Sequence, residues 1–317
     1  MTDTQNEVFK TSVNKIRLFE HGAPGSQNLK LTRKYYTEDM PDGRVKHIVQ
    51  NITDPDIVPY IPDGIGNSTD RQRVPAVLII PGGAFRRLVY NFEGEDVAKW
   101  LNSMGIAAFV LECRLPSDEH DNVEDVPLID AMRAMRVIRG RAQEFGIDEA
   151  KIGVMGFSAG GFMAALLSTA YESDVYADYK YKDEYDKLSA RPDFAVCSYP
   201  VISIDDCIEA GKRYMSEEQV LERISDSKAK ILHKYNPDKL VRPDMPPVFI
   251  CETDDDRTTL SENSVGFYMA ARKAGVSAEL HIFRTGGHGY GCGDDFAQTG
   301  EWKVLFTKWI KSIGILS

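Results

Sequence analysis

The chain has 317 residues, of which 43% are hydrophobic and 27% are charged, and its formal net charge is −10. This composition is typical of a soluble globular protein with a large core, and the acidic balance argues against nucleic acid and anionic membrane surfaces as partners. No stretch approaches eighteen consecutive apolar residues, so we expect no membrane-spanning helix.

The five cysteines are scattered, odd in number and never in CxxC spacing, so the sequence predicts neither a zinc site nor a disulfide framework. The first seven residues lack the basic region and the apolar core that begin a secretory signal. We therefore expect a cytoplasmic protein with reduced thiols.

Strands and helices alternate along most of the chain. Residues 1–44 are predicted to form a polar N-terminal arm with one strand near 28–36, and residues 45–317 are predicted to form one domain. In chain order, this domain is predicted to contain an opening pair of strands at 45–52 and 57–61, a strand at 76–80, a helix at 97–104, a strand at 106–111, a helix at 128–145, a strand at 152–155, a helix at 161–170, strands at 194–199 and 248–251, a helix at 261–274, a strand at 279–283 and a helix at 302–310.

This alternation indicates the α/β class, with a mainly parallel central sheet covered by helices on both faces. Two stretches interrupt the pattern. Residues 171–190 are rich in tyrosine, aspartate and lysine, and residues 207–241 are charged and predicted to be partly helical. They are predicted either as small cap insertions at the C-terminal edge of the sheet or as solvated surface helices, and the sequence leaves both interpretations open.

Residues 156–160 read Gly-Phe-Ser-Ala-Gly and lie between the predicted strand at 152–155 and the predicted helix at 161–170. A serine on such a strand-to-helix turn is typical of a nucleophile elbow, which exposes the serine oxygen at the carboxyl edge of a sheet. The five-residue pattern alone is common by chance, so the flanking elements and the downstream partners carry the interpretation. We predict that Ser158 is a nucleophile.

A serine hydroxyl needs a base within hydrogen-bond reach and a third group that orients the base. His288 follows the last predicted strand in a glycine-rich loop, whereas the other five histidines lie before the core, in charged surroundings or within a strand. The acid is expected after the strand at 248–251, where three aspartates adjoin. Asp256 is our choice, and Asp255 is the alternative.

Attack on a carbonyl group also needs backbone N–H groups that stabilise the developing oxyanion. Ala159, the residue after the nucleophile, supplies one of them. The loop after the strand at 76–80 reads Pro-Gly-Gly-Ala-Phe, which makes Gly83 or Ala84 the second donor. The side chains expected to line the substrate pocket are Phe85, Arg86, Phe157 and Tyr290.

Together these segments resemble those of α/β-hydrolases of the esterase/lipase group, in particular the acetyl-xylan-esterase-like carbohydrate esterases. The matching segments extend from about residue 45 to the C-terminus and include Pro-Gly-Gly-Ala-Phe at 81–85, the serine motif at 153–161 and Gly-Gly-His-Gly at 286–289. The resemblance implies an α/β-hydrolase catalytic domain at 45–317 and places the acid on Asp256. The chain departs from the family pattern at Ala84, where a third glycine is usual, and at Cys113, where a tyrosine is usual.

The residues and the resemblance predict a serine esterase that deacetylates a small-molecule or oligosaccharide ester through an acyl-enzyme and uses no cofactor or metal. A broad short-chain carboxylesterase is the main alternative. A peptidase with the same triad and a non-catalytic binding protein of the same fold are further alternatives. The sequence leaves open whether the chain forms a homo-oligomer.

Overall fold

The strands of the computed structural model, which describes residues 14–65, 73–225, 229–293 and 298–316, form one large and one small sheet. In chain order they are β1 (Ile16–Arg17), β2 (Lys34–Asp39), β3 (Val45–Gln50), β4 (Asp56–Tyr60), β5 (Val74–Ile80), β6 (Leu88–Val89), β7 (Ala107–Glu112), β8 (Ile147–Phe157), β9 (Ala195–Ser198), β10 (Val248–Thr253) and β11 (Ala278–Phe283).

The large sheet has the strand order β1-β4-β7-β5-β8-β9-β10-β11. All neighbours from β7 to β11 in this order pair in parallel, whereas β1 and β4 add an antiparallel edge. Parallel strands end at the same edge of a sheet, so the loops after β5, β8 and β10 are brought to one side. This mainly parallel sheet agrees with the sequence-based prediction.

The small sheet joins β2, β3 and β6 in antiparallel order. The predicted opening pair is therefore wrong, because β3 and β4 lie in different sheets. β4 begins with three buried residues, as expected for a strand of the large sheet, which is covered on both faces. β3 is buried only at Ile48 and Val49, as expected for a strand of a sheet that is partly exposed to solvent. β3 pairs with β2, which lies several residues later than the strand predicted near 28–36.

Helices cover both faces of the large sheet, because successive side chains of β5, β7 and β10 are buried and such side chains point to opposite faces. The helices are α1 (Asp96–Ser103), α2 (Val126–Gly140), α3 (Ala142–Phe145), α4 (Ala159–Ala170), α5 (Ile204–Tyr214), α6 (Glu217–Ser225), α7 (Lys230–Lys234), α8 (Ser261–Lys273) and α9 (Trp302–Ser312). α1 packs on α9, where the rings of Trp100 and Trp302 lie 5.0 Å apart. None of the helices within the described ranges has the length and apolar character needed to cross a membrane.

The two interrupting stretches differ in their placement. Residues 171–190 contact two other parts of the chain. The Tyr179 hydroxyl donates to the carbonyl oxygen of Gly22, near the start of the described chain, and Asp183 forms an ion pair with Arg133 of α2. Residues 207–241 contain parts of α5 and all of α6 and α7. The division into an arm at 1–44 and a domain at 45–317 stays a prediction, and residues 1–13 of that arm lie outside the described residues.

Candidate active site

Ser158 lies on a tight turn between β8 and α4. Its backbone φ is 54° and its ψ is −119°, a conformation that residues with a side chain rarely adopt. A Cβ atom on Gly156 would lie 1.9 Å from the carbonyl oxygen of Gly160, and a Cβ atom on Gly160 would lie 1.9 Å from that of Ile80. The two glycines therefore allow the backbone contacts that hold this turn.

A chain of hydrogen bonds links three of the predicted residues. Ser158 Oγ lies 2.8 Å from His288 Nε2, and His288 Nδ1 lies 2.6 Å from Asp256 Oδ2. Ser158 is 8% exposed and Asp256 is 2% exposed, so the chain of bonds runs from a nearly buried hydroxyl into the protein. This geometry can transfer a proton from the serine to the imidazole and hold the ring in one orientation.

The structure brings Asp256, rather than the alternative Asp255, to the histidine ring. Asp255 Oδ1 accepts the backbone N–H of Gly287 at 2.8 Å, so this aspartate holds the loop that precedes His288. Asp256 also accepts the backbone N–H groups of Thr258 at 2.7 Å and Thr259 at 3.0 Å. The two neighbouring carboxylates therefore have different local roles.

Asp256 is surrounded by groups that favour its ionised form. Burial by itself raises the pKa of this carboxyl group, but the hydrogen bond and the charge of His288 lower it, together with the N–H groups of Thr259 and Thr258. The net effect holds the pKa below its ordinary value. Asp256 is therefore a carboxylate at neutral pH, as a group that stabilises an imidazolium must be.

The loop after β5 adopts an unusual backbone conformation beside Ser158. Gly83 has a φ of 136°, and Ala84 and Phe85 have φ values of 57° and 59°. The N–H groups of Gly83 and Ala84 donate to no acceptor among the described residues. Ala159 is the first residue of α4, where N–H groups have no partner within the helix. That these N–H groups stabilise a negative oxygen at Ser158 stays a prediction.

Glu93 and Tyr199 are two buried residues of the site that the sequence analysis did not assign. Glu93 Oε2 accepts the N–H of Gly82 at 2.8 Å, and Glu93 Oε1 accepts the hydroxyl hydrogen of Tyr199 at 3.0 Å. The Tyr199 oxygen in turn accepts the N–H of Gly291 at 3.1 Å. Tyr199 directly follows β9 at the carboxyl edge of the sheet, and this position is the sequence signal that could have identified it.

Burial is the dominant influence on Glu93 and raises the pKa of its carboxyl group. The charge of His288, the Tyr199 hydroxyl and the Gly82 N–H offset part of this effect. Both oxygens of Glu93 accept hydrogen bonds from these neighbouring donors.

Two of the four predicted pocket residues lie at the site and two do not. Phe85 and Arg86 each line a cavity that contains Ser158. Phe157 is fully buried and packs against Tyr199 and Trp302, and Tyr290 packs against Tyr199 with ring centres 4.5 Å apart. The prediction that Phe157 and Tyr290 line the pocket is wrong, because both rings pack in the core.

A small apolar cavity adjoins Ser158. It has a volume of about 70 Å³ and is called the apolar cavity below. Residues of α5, α7 and the loop after β9 contribute to its wall, so part of the stretch at 207–241 lies at the site. Its lining includes Phe85, Ala159, Val201, Ile204, Cys207 and Leu232.

A larger and more polar space also reaches Ser158 and His288. It has a volume of about 460 Å³ and is called the polar cleft below. Residues of the small sheet and of the loop after β5 form much of its wall, and four of them are cationic. These four are Arg44, Lys46, Arg86 and Arg87.

Comparison with known proteins places the chain in a family. The BD-FAE family model matches residues 65–270. An acetylxylan esterase of Xylanibacter ruminicola is 31% identical over 240 residues, which are 75% of this chain and 45% of that protein. An endo-1,4-beta-xylanase B of Butyrivibrio fibrisolvens is 31% identical over 227 residues, which are 71% of this chain and 34% of that protein. The chain therefore spans less than half the length of these two relatives.

A solved structure covers nearly the whole chain. The acetyl ester-xyloside bifunctional hydrolase from Caldicellulosiruptor lactoaceticus is 34% identical and superposes with a TM-score of 0.70 over 96% of this chain and 97% of that one. The fold is that of the α/β-hydrolases, as the sequence predicted. Within this class, the chain belongs to the BD-FAE family, whose model matches more than half of its residues.

Proposed function

We propose that this chain is a serine carboxylic-ester hydrolase that removes acetyl groups from small-molecule or oligosaccharide esters. The observation that carries the proposal is the hydrogen-bonded chain from Ser158 Oγ through His288 to Asp256. The apolar cavity and the polar cleft both reach this serine. A substrate can therefore place a small apolar group and a larger polar group on the two sides of its ester bond.

The first step is attack of Ser158 Oγ on the ester carbonyl carbon. His288 Nε2 accepts the serine proton, and Asp256 stabilises the resulting imidazolium without accepting the proton itself. The carbonyl oxygen becomes negative and accepts hydrogen bonds from the Ala159 N–H and from the N–H of Gly83 or Ala84. His288 then donates its proton to the departing alcohol, which leaves an acyl-enzyme.

The second step releases the acid. Water enters the position of the departed alcohol, and His288 removes its proton as it attacks the acyl carbon. The same N–H groups stabilise the second oxyanion, and Ser158 leaves with the proton from His288. The reaction needs no group other than the side chains and N–H groups named here.

The size of the apolar cavity supports a short acyl group. An apolar cavity of about 150 Å³ is large enough to hold a benzene molecule in an engineered protein. The apolar cavity at Ser158 has about 70 Å³, so it holds the methyl group of an acetyl ester and has little room for a long chain. This observation favours deacetylation over the hydrolysis of long acyl esters.

Two related proteins support a saccharide as the alcohol. The relative from Xylanibacter ruminicola is named an acetylxylan esterase, and the structure from Caldicellulosiruptor lactoaceticus is described as an acetyl ester-xyloside hydrolase. The polar cleft, with about 460 Å³, offers the space that a saccharide needs. We therefore include acetylated xylo-oligosaccharides in the proposed substrate class.

The proposed function is tested with p-nitrophenyl esters from acetate to octanoate, and Ser158→Ala serves as the control. We expect kcat/KM to be highest for acetate and to be lost in the variant. A preference for longer chains would replace deacetylation with a general carboxylesterase activity. Equal rates in both proteins would overturn the assignment of Ser158 as the nucleophile.

A cytoplasmic location remains part of the proposal. All five cysteines are buried free thiols, which suits a reducing compartment. Detection of the protein in the growth medium of its source cells would contradict this location.

A further inference from the structure

Thr259 is a buried residue whose side chain lies beside the contact between Asp256 and His288. It is 1% exposed, and its hydroxyl oxygen lies 2.9 Å from Asp256 Oδ2 and 3.2 Å from His288 Nδ1. The same oxygen lies 3.3 Å from the carbonyl oxygen of Tyr199. A single hydroxyl group therefore has three polar neighbours in the candidate active site.

The chemistry of these neighbours decides where the hydroxyl hydrogen of Thr259 points. His288 Nδ1 lies 2.6 Å from Asp256 Oδ2, and since a carboxylate only accepts, Nδ1 carries a hydrogen and donates it. Thr259 therefore cannot donate to Nδ1. Of the two remaining acceptors, Asp256 Oδ2 is the closer and the ionised one, whereas the Tyr199 carbonyl oxygen lies beyond the usual range of an O–H···O bond. The hydroxyl of Thr259 thus donates to Asp256 Oδ2.

The two oxygens of Asp256 are held by different kinds of donor. Oδ1 accepts the backbone N–H groups of Thr258 and Thr259, and a backbone N–H is present whichever residue other than proline stands at these positions. Oδ2, the oxygen that contacts His288, accepts from the Thr259 side chain. Valine has nearly the same shape as threonine but no hydroxyl, so it would not make this contact.

We propose, resting on the proposed ester hydrolase activity, that Thr259 is a positioning residue that acts through Asp256. Its hydroxyl fixes the oxygen that orients the His288 ring and shares the negative charge of that oxygen with the Nδ1–H group. A carboxylate that accepts a second hydrogen bond attracts the imidazolium proton less strongly. His288 therefore returns more readily to the neutral form that removes the Ser158 proton, and Thr259 keeps its own hydrogen throughout.

Other titratable groups also act on the pair of Asp256 and His288. Burial raises the pKa of the Glu252 carboxyl group well above its ordinary value, and the charge of Asp256 adds to this effect. Glu93 interacts with the charge of His288, and the Tyr199 ring lies 5.1 Å from the His288 ring. The four cations of the polar cleft line the same space as His288. A substitution at residue 259 leaves all of these groups in place, so a change in the pH profile reports the hydroxyl.

The test measures kcat/KM of the full chain for p-nitrophenyl acetate from about pH 5 to about pH 9, where loss of the imidazole proton produces the rising acid side of the profile. Thr259→Val removes the hydroxyl. We expect the midpoint of the acid side to move up by about half a pH unit or more, because a hydrogen bond to a charged group is worth at least that much. We expect kcat/KM above this midpoint to fall about tenfold, because Asp256 Oδ2 is held less firmly.

Two further variants separate the hydroxyl from general effects of packing and folding. Thr259→Ser keeps the hydroxyl, so its midpoint and its kcat/KM should be close to those of the wild-type chain. Thr169→Val also removes a buried hydroxyl, but Thr169 lies near the end of α4, where its hydroxyl donates to the Ala165 carbonyl oxygen at 3.1 Å. This variant should leave the midpoint and kcat/KM unchanged. A partly unfolded protein loses rate without a shift of the midpoint.

The outcomes distinguish this inference from the proposed function. An active wild-type chain whose pH profile is unchanged by Thr259→Val would overturn the inference and leave the proposed function intact. A fall in rate at an unmoved midpoint, or one that Thr259→Ser does not restore, would show that Thr259 only fills space and would also overturn the inference. A midpoint that moves to lower pH would contradict donation to Asp256. A wild-type chain that does not hydrolyse the ester would overturn the proposed function and this inference together.

Discussion

The carboxyl group of Glu93 accepts the hydroxyl hydrogen of Tyr199 at 3.0 Å deep in the protein. The other oxygen of Glu93 accepts a hydrogen bond from the Gly82 N–H, and the Tyr199 oxygen accepts one from the Gly291 N–H. These contacts join the loop after β5 to the loop that carries His288. We therefore regard Glu93 as a positioning residue that acts through both loops.

Replacing Glu93 tests this positioning role. Glu93→Gln keeps the size of the side chain, but the amide NH₂ group cannot accept a hydrogen bond. One of the two hydrogen bonds that the carboxyl group accepts is therefore lost. We expect kcat for p-nitrophenyl acetate to fall about tenfold, which corresponds to the loss of one buried hydrogen bond. KM should change little, because we expect the loop after β5 and the loop that carries His288 to stabilise the transition state more than the bound ester.

Glu95 provides the matched control for this experiment. It lies two residues away, is partly exposed and pairs with Lys99 on the surface of α1. Glu95→Gln should therefore leave kcat unchanged. Full kcat in Glu93→Gln would contradict the positioning role.

The elbow glycines should be far less tolerant of substitution than an exposed helix glycine. Gly160→Ala places a Cβ atom against the Ile80 carbonyl oxygen, so we expect the free energy of unfolding to fall by about 3 kcal/mol or more. Gly266 in α8 has open space around its missing Cβ, and Gly266→Ala should raise this free energy by about 1 kcal/mol. Urea denaturation measures both, and similar values for the two variants would contradict the packing described for the elbow.

The wall of the apolar cavity should set the acyl preference. Leu232 of α7 is 7% exposed and lines this cavity, so Leu232→Ala enlarges it. We expect the ratio of kcat/KM for butyrate to that for acetate to rise about tenfold, since each methylene group in an apolar pocket is worth about 1–3 kcal/mol.

Leu240→Ala is the control for the acyl series, because Leu240 is 39% exposed and does not line the cavity. Its acyl profile should match that of the wild-type chain. An unchanged profile in Leu232→Ala would show that the acyl group binds elsewhere.

Asp118 should make stability depend on pH. Burial raises the pKa of its carboxyl group to about 6, and the Ile52 N–H and the Ser117 hydroxyl offset part of that effect. Between about pH 4 and pH 6 the folded chain keeps this proton while the unfolded chain releases it, so stability falls as the pH rises through this range.

The variant Asp118→Asn carries no ionisable group at this position. Relative to the wild-type chain, its free energy of unfolding should therefore increase by about 1 kcal/mol between pH 4 and pH 7. Urea denaturation at several pH values measures the difference between the two proteins. A difference that stays constant over this range would contradict the raised pKa.

Motifs made the fold and the main residues of the candidate site predictable. Ser158 and His288 follow predicted strands in glycine-rich turns, so their meeting at one sheet edge follows from parallel pairing. The residues alone left Asp255 open beside Asp256, because adjacent residues in a loop can point in different directions, whereas the family resemblance placed the acid on Asp256, the residue that contacts His288. The sequence alone also could not separate β3 from β4, since pairing partners are set by packing rather than by local pattern.

The two pocket predictions that failed share one cause. Phe157 ends a strand that is buried on both faces, so its neighbours show no alternation of polar and apolar residues from which its direction could be read. Tyr290 follows His288 by two residues, but its ring turns inward onto Tyr199. Glu93 and Tyr199 escaped assignment because their contact joins segments 106 residues apart.

Covalent labelling tests the central claim, that Ser158 is an activated nucleophile, most directly. The folded wild-type chain is treated with a fluorophosphonate, digested and analysed by mass spectrometry, with Ser158→Ala treated in parallel. The account predicts one adduct on the peptide that contains Ser158 and none in the variant. An unlabelled wild-type chain, or an adduct on another residue that persists in the variant, would contradict it.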